Sequence, residues 1–450
     1  MPKIPNQNSE QGQAIVLLVL AFVAFLGFSA LAIDGGMIYA DRRHAQNATD
    51  ASSLAGAGVA AQEMENLGVY FSNFTCGSAN VTAVQNAAAL AAVGRAASND
   101  YTIDYDVSDF HGVQVICVDD DDKGTYFDKY LDVNTLITRT TNTALVHFVY
   151  PGPVQEQAET IARIRPRTPL AFGHAIVALN DAACSGNSNG VIVGGSSGTY
   201  VHGGGIFSNG CLKCNGSGPS FEVIVDPPSG IGYVGELTNC SSGELDPEAI
   251  SIPEKLPAAS YDVDLPDCSG LPNRSMPGGR DVTLEPGVYS QINDNGKDTV
   301  TLNPGLYCVT DSPIAFKITT AWFYGDGVTI YATNGRVLIS GGGDDEGNPS
   351  VLNAPAADPD PSPALSGMLI LLAPGNTSDV QLTGNSETQF TGTVFAPDGD
   401  ITATGSGALT APFNTQLIGY NVQVEGNAFI DINFDGANSY GVPPRLDLQE

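Results

Sequence analysis

Hydrophobic positions along this chain fall into distinct textures. The first is an unbroken run: Ala14 to Ile33 is twenty residues without a charge. As a helix rising about 1.5 Å per residue it reaches about 30 Å, the thickness of a bilayer's hydrocarbon core. A cleaved secretory signal shares this position and apolarity, but such signals are shorter in their apolar part and end in a small-x-small site. Here "FSALAIDGG" offers only Ala30 and Ala32. The reading taken is a retained membrane helix at 14–33 behind a short cytoplasmic tail at 1–13. The next stretch, 34–65, is polar yet alanine-rich, and Ala45, Ala48, Ser52, Ala55 and Val59 recur at spacings of three and four. On a helical stalk they form a seam of small side chains that lets another helix approach closely, either a partner's or one from the chain's own next domain. One helix from about 14 to 65 is predicted, with Gly35–Gly36 as a weak point near the membrane surface.

From 66 to 169 the texture is mixed. "VTAVQNAAALAAVGRAASN" (81–99) has helical periodicity, and "YTIDYDVS", "GVQVICVDD" and "YFDKYLDVNTLITR" alternate as strands do. A further stretch ending in "ETIARIRPR" predicts a short helix and a last strand, so this region reads as a small α+β domain. Pro166 and Pro169 close it, in a linker carrying Arg163, Arg165 and Arg167. From 170 to 450 short apolar strands such as "GVIVGG", "GVTIYA", "GMLILLA" and "TGTVFAP" follow one another with Gly, Asn and Asp at the corners. "LEPGVYSQI" at Leu284 echoes in "LNPGLYCVT" at Leu302, eighteen residues on. That spacing is near one coil of a right-handed parallel β-helix, a solenoid whose rungs bury side chains against each other. A β-sandwich or jelly roll is the alternative that such short strands also permit. The Pro-rich stretch 246–279 and the one beginning at Asp344 read as excursions from the coils.

Composition then limits the partners. Forty-nine acidic against eighteen basic residues give a net charge of −31, which repels a nucleic-acid backbone. The positive charges flanking the apolar run oppose an N-in orientation, with Lys3 before it and Arg42 and Arg43 after it. Long domains translocate largely regardless of such charges, and eight cysteines suit an oxidising compartment, so the bulk is expected outside the cytoplasm. These are Cys76, Cys117, Cys184, Cys211, Cys214, Cys240, Cys268 and Cys308. "CLKC" (Cys211, Cys214) lacks the second ligand pair of a zinc site and the βαβ context of a redox pair, so structural disulfides are expected. Cys76 and Cys117 make a natural pair, since both lie in the middle domain.

Other chemistry is sparse. The acidic turns Asp119–Lys123 and Gly341–Asn348 gather oxygen ligands for Ca²⁺, yet neither has EF-hand spacing, and solvated turns are the expectation. Ser188 and Ser196 match the letters of GxSxG without the helix a nucleophile elbow needs. From Leu170 onward there are two histidines, His174 and His202, and eight lysines and arginines. Carboxylates such as Asp344–Asp345 or Asp398 and Asp400 show no convergence by spacing alone. No cofactor is expected.

The stretch from Gly12, with GQ, the apolar helix, AIDGG, a tyrosine, RR, QNATDA and LAGA, resembles the N-terminal segment of TadG-like proteins of the Tad (tight adherence, Flp/type IVb) pilus-assembly family. The resemblance spans about 45 residues. It implies a non-enzymatic envelope protein that assembles, anchors or decorates adhesive pili, meeting pilins or assembly proteins through its first helix. Cleavage after Gly12 would put Leu17 at the fifth position, where type IV pilins carry glutamate, so the prepilin pattern is not met. The alternatives are a surface adhesive protein unrelated to pili and a β-helical enzyme acting on polysaccharide.

Overall fold

The computed structural model describes residues 11–449 apart from 106–110, 125, 147–151, 153, 183, 185–189, 197, 217–220, 312, 345, 357–360, 407–410 and 428. The cytoplasmic tail expected at 1–13 lies mostly outside this range, as do Ser188 and Asp345. The chain forms two compact units. One comprises Met1–Asp119, Lys129–Pro166 and Pro444–Glu450, and the other Asp120–Asp128 and Arg167–Pro443.

The first unit begins with helix α1 (Gln11–Asn66), which runs unbroken through Gly35–Gly36. Helix α2 (Ala79–Ala97) starts where the Ser78 hydroxyl accepts the N–H of Val81, and it buries Val81, Val84, Ala88 and Ala92 on one face. Strands β1 (His111–Asp122), β2 (Phe127–Thr141) and β3 (Val154–Ile164) form a sheet, and β2 and β3 are antiparallel with Leu131 opposite Ile164. Alternation puts Leu131, Val133, Ile137, Ala158 and Ala162 on the face packed against the helices. No strand forms at 101–105, where Tyr101 and Ile103 are nonetheless buried. The Cys76–Cys117 disulfide ties the connection between the helices to β1. The fourth strand of this sheet is Leu446–Gln449, antiparallel to β3. These residues, read from sequence as the end of the β-rich region, complete the first unit's sheet instead.

In the second unit, short strands pair in parallel within one nineteen-stranded and one nine-stranded sheet. Thr299–Leu302, Gly305–Val309 and Ile314–Ile318 are followed in the chain by Trp322–Gly325, Val328–Ala332 and Arg336–Ser340, and each of the second trio pairs with its counterpart in the first. Repetition builds three ladders. In one of them Ile292, Phe316, Val337, Val380, Ile401, Val422, Val191, Leu212 and Leu237 stand in register. All are buried except Leu237 in the edge strand, which is 37% exposed. The sequence echo marks a corner: Tyr289 and Tyr307 are both buried, and their hydroxyls donate to the carbonyls of Glu285 and Asn303, four residues back in each case.

The layers do not stack in chain order. Ile176 pairs with both Ile206 and Leu417, and Val191 with both Leu212 and Val422. The chain therefore starts at an interior layer, builds outward to Ile250–Ser251, crosses back, and builds inward again from Asp281 to Asn433. The crossing is the part of the Pro-rich stretch between Ile250–Ser251 and Asn273–Arg274, which are themselves paired strands, and it forms a strap. It covers an outward-facing apolar row that includes Phe207, Val177, Ile418, Phe395, Leu371, Tyr331 and Cys308, with Ile252 and Leu256 buried against it. The N–H of Leu256 donates to Asn209 at 2.9 Å, and Cys268 bonds Cys308. A buried Asp294 closes one corner: its Oδ2 accepts the N–H groups of Thr319, Thr320 and Ala321. Burial pushes its pKa up, but these donors outweigh burial and hold it below the usual carboxylate range.

Candidate functional site

The N-terminal helix has two surfaces. From Ile15 to Phe28 every side chain is exposed, including Leu18 and Phe28 at 70% and 73%. This helix is long and apolar enough to cross a membrane. Asp34, just past this run, is buried, with Met37 and Tyr39 exposed again beyond it. The Asp34 Oδ1 accepts the N–H of Ala144 at 2.7 Å, and its Oδ2 accepts those of Leu145 and Val146 at 2.9 and 2.5 Å. Two turns on, Asp41 accepts the Thr141 hydroxyl at 2.8 Å and pairs with Arg139 at 2.9 Å. The polar residues of QNATDA close on β3: the Thr160 hydroxyl donates to Asp50 at 2.6 Å and accepts from Gln46 at 3.1 Å. Ser53 donates to the Thr160 carbonyl at 2.8 Å. A membrane-length helix is thus clamped, from the first charged residue after its apolar run, to the folded unit it carries.

Below the clamp the buried stripe runs through Ala45, Ala48, Thr49, Ser52, Ser53, Gly56, Ala57, Ala60 and Met64. Ala45, Ala48 and Ser52 of the predicted seam are on it, whereas Ala55 and Val59 are half-buried at its border. The predicted positions follow a seven-residue repeat, and a straight helix drifts about 20° per heptad from that repeat, so the covered stripe moves on to Gly56 and Ala60. What covers the stripe is the chain's own α2 and sheet. At Gly56 the approach is closest, since an added Cβ would lie 2.8 Å from Val133 and 2.9 Å from the Ala88 carbonyl oxygen. Replacing Asp34 by alanine would leave three N–H groups without their acceptor. The expected result is a loss of about 1–3 kcal/mol confined to this clamp, read as faster hydrogen exchange at Ala144–Val146 with α2 unchanged.

All eight cysteines are in disulfides. Cys211 and Cys214 bond not each other but Cys184 and Cys240. Carboxylates in the acidic turns serve the backbone. Asp119 accepts the Cys76 N–H, Asp122 that of Gly124, and Asp344 those of Glu346 and Asn348. Among the described residues no group of three histidine, cysteine or acidic side chains could hold a metal ion. Asp398 accepts the Gly375 N–H and Asp400 the Asn421 amide, so neighbouring carboxylates face different partners. Ser196 follows Val191–Gly195 at a bend, and its backbone N–H donates to the Gly426 carbonyl. His174 is buried beside Phe207, and desolvation pushes its pKa down to about 4. His202 stands 2.6 Å from Asp226 and 3.0 Å from Asp431, and the hydrogen bond to Asp226 foremost raises its pKa.

These features define a class: a membrane-length helix, clamped into a small helix–sheet unit, with a large parallel-stranded unit inserted before that sheet's last strand. Residues 12–61 match the family model described as putative Flp pilus-assembly TadE/G-like. The match covers the apolar run, the Asp34 clamp and the stripe through Gly56. No curated protein and no solved structure matches the chain. The residues that sequence reasoning missed are Asp34, Asp41, Gly56 and Thr160. The available signal was Asp34 itself, an acid placed directly at the end of an apolar run.

Proposed function

We propose that the chain is a non-enzymatic, single-pass envelope component of a Tad/Flp-type pilus assembly, its bulk outside the cytoplasm. The observation that carries this reading is the TadE/G-like match over residues 12–61, which falls on the exposed apolar helix and its clamp. Four disulfides favour an oxidising compartment for the bulk of the chain. The stripe from Ala45 to Met64 is occupied by the chain's own core, so contacts with pilins or assembly proteins fall to the membrane half, Ile15–Ile33. The three parallel ladders are read as one closed, right-handed parallel β-helix, a stiff body held at the cell surface. Its role is mechanical: assembling, anchoring or decorating the filament.

The test is to shear surface filaments from cells and blot filament, membrane and medium fractions for the second unit. Recovery with filaments, or membrane recovery together with lost piliation in a deletion strain, supports the proposal. Membrane recovery with normal pilus number in the deletion strain overturns it and leaves a surface protein unrelated to pili.

A further inference from the structure

The chain's single tryptophan is not in its core. Trp322 and Tyr324 alternate outward from one strand, their rings nearly parallel, 16° apart in plane, with centroids 6.4 Å apart. Tyr324 is 43% exposed. The Trp322 indole N–H donates to the carbonyls of Asn348 and Pro349 at 3.2 and 3.1 Å, so the ring is pinned, and the side chain is half-buried. Along the ladder, Tyr324 is in register with Val351 and then Gln389. Beside that row, Asn353 donates to Asp326 at 3.1 Å. The outward positions of this ladder, from Asp281 to Asp246, include aspartates but no lysine or arginine.

We infer that this face binds a neutral glycan, with Trp322 and Tyr324 against a sugar ring and Asp326 and Gln389 taking its hydroxyls. Aromatic faces carry negative charge density that attracts the polarised C–H groups of a pyranose. Carboxylate and amide oxygens accept from paired hydroxyls. Phosphate- or uronate-bearing polymers meet Asp281 and Asp326 here, and the neighbouring Arg280 is paired with Asp298, so they are disfavoured. Parallel strands repeat every ~4.8 Å, close to the length of one sugar in an extended chain, so successive sugars meet successive strands.

The single tryptophan makes the site its own reporter. Full-length protein in a detergent without a sugar head group is titrated with cellohexaose, chitohexaose, xylohexaose and mannohexaose, with a hyaluronan hexamer as the anionic comparison, while Trp322 fluorescence is followed. Expected is a saturable fluorescence change with at least one neutral oligomer and none with hyaluronan. Tyr324→Ala should weaken that binding about tenfold with the thermal midpoint unchanged, and Trp322→Ala should weaken it likewise by calorimetry. No response across the neutral panel, equal response to hyaluronan, or binding indifferent to both substitutions overturns the inference. The outcome is independent of filament fractionation, so failure here does not touch the pilus reading.

Discussion

Replacing Gly56 by alanine is expected to destabilise the helix–sheet unit by about 1–3 kcal/mol, although helix propensity alone favours alanine there by about 1 kcal/mol. Sterics decide the sign. The new Cβ would stand 2.9 Å from a backbone oxygen of α2 and 2.8 Å from a Val133 methyl, and the backbone oxygen cannot rotate away. Two residues on, Gly58 has nothing within 4 Å of an added Cβ. Gly58→Ala should therefore stabilise the same helix by up to about 1 kcal/mol. Hydrogen exchange across Ala79–Ala97 reads both variants, faster for Gly56→Ala and unchanged or slower for Gly58→Ala. Equal effects from the two would show that α1 and α2 are not in close contact at Gly56.

The second large effect is expected in the parallel unit. Phe390 is fully buried, with Phe323 and Phe413 on either side at 6.2 and 5.6 Å between ring centroids. Phe390→Ala removes the middle of three stacked rings, and the layers on either side, held by backbone pairing, cannot collapse into the gap. A loss of about 3–5 kcal/mol is expected, from the midpoint of urea unfolding followed by Trp322 fluorescence. Phe390→Leu, which keeps most of the volume, should cost markedly less. Matching midpoints for the two would mean that the site relaxes freely.

How much of this is legible in sequence depends on how local each signal is. The apolar run, α2 and strands β1 and β2 are set by periodicity within a dozen residues, and the Leu284/Leu302 echo reports a corner whose hydrogen bonds are themselves local. The docking of Val191 on Val422 joins residues far apart in the chain, and both neighbours of Val191 present the same buried aliphatic row, so nothing local says which layer follows which. The strap shows the same limit: its prolines announce an irregular segment but not the apolar row it covers. In the candidate site, small residues on α1 are visible as a pattern, but which of them touch α2 depends on a helical drift that only the packed partner reveals. Asp34 reads as the end of a membrane span until the three N–H groups it accepts are placed around it.

The insertion has a consequence for biosynthesis. Strand Leu446–Gln449 is synthesised only after the whole parallel unit, yet it is the neighbour that β3 needs on its outer edge. A polypeptide interrupted anywhere within 167–443 would leave that edge with free N–H and C=O groups, a site for wrong pairing and for proteolysis. The helix–sheet unit is thereby complete only in copies whose translation has run through the inserted unit.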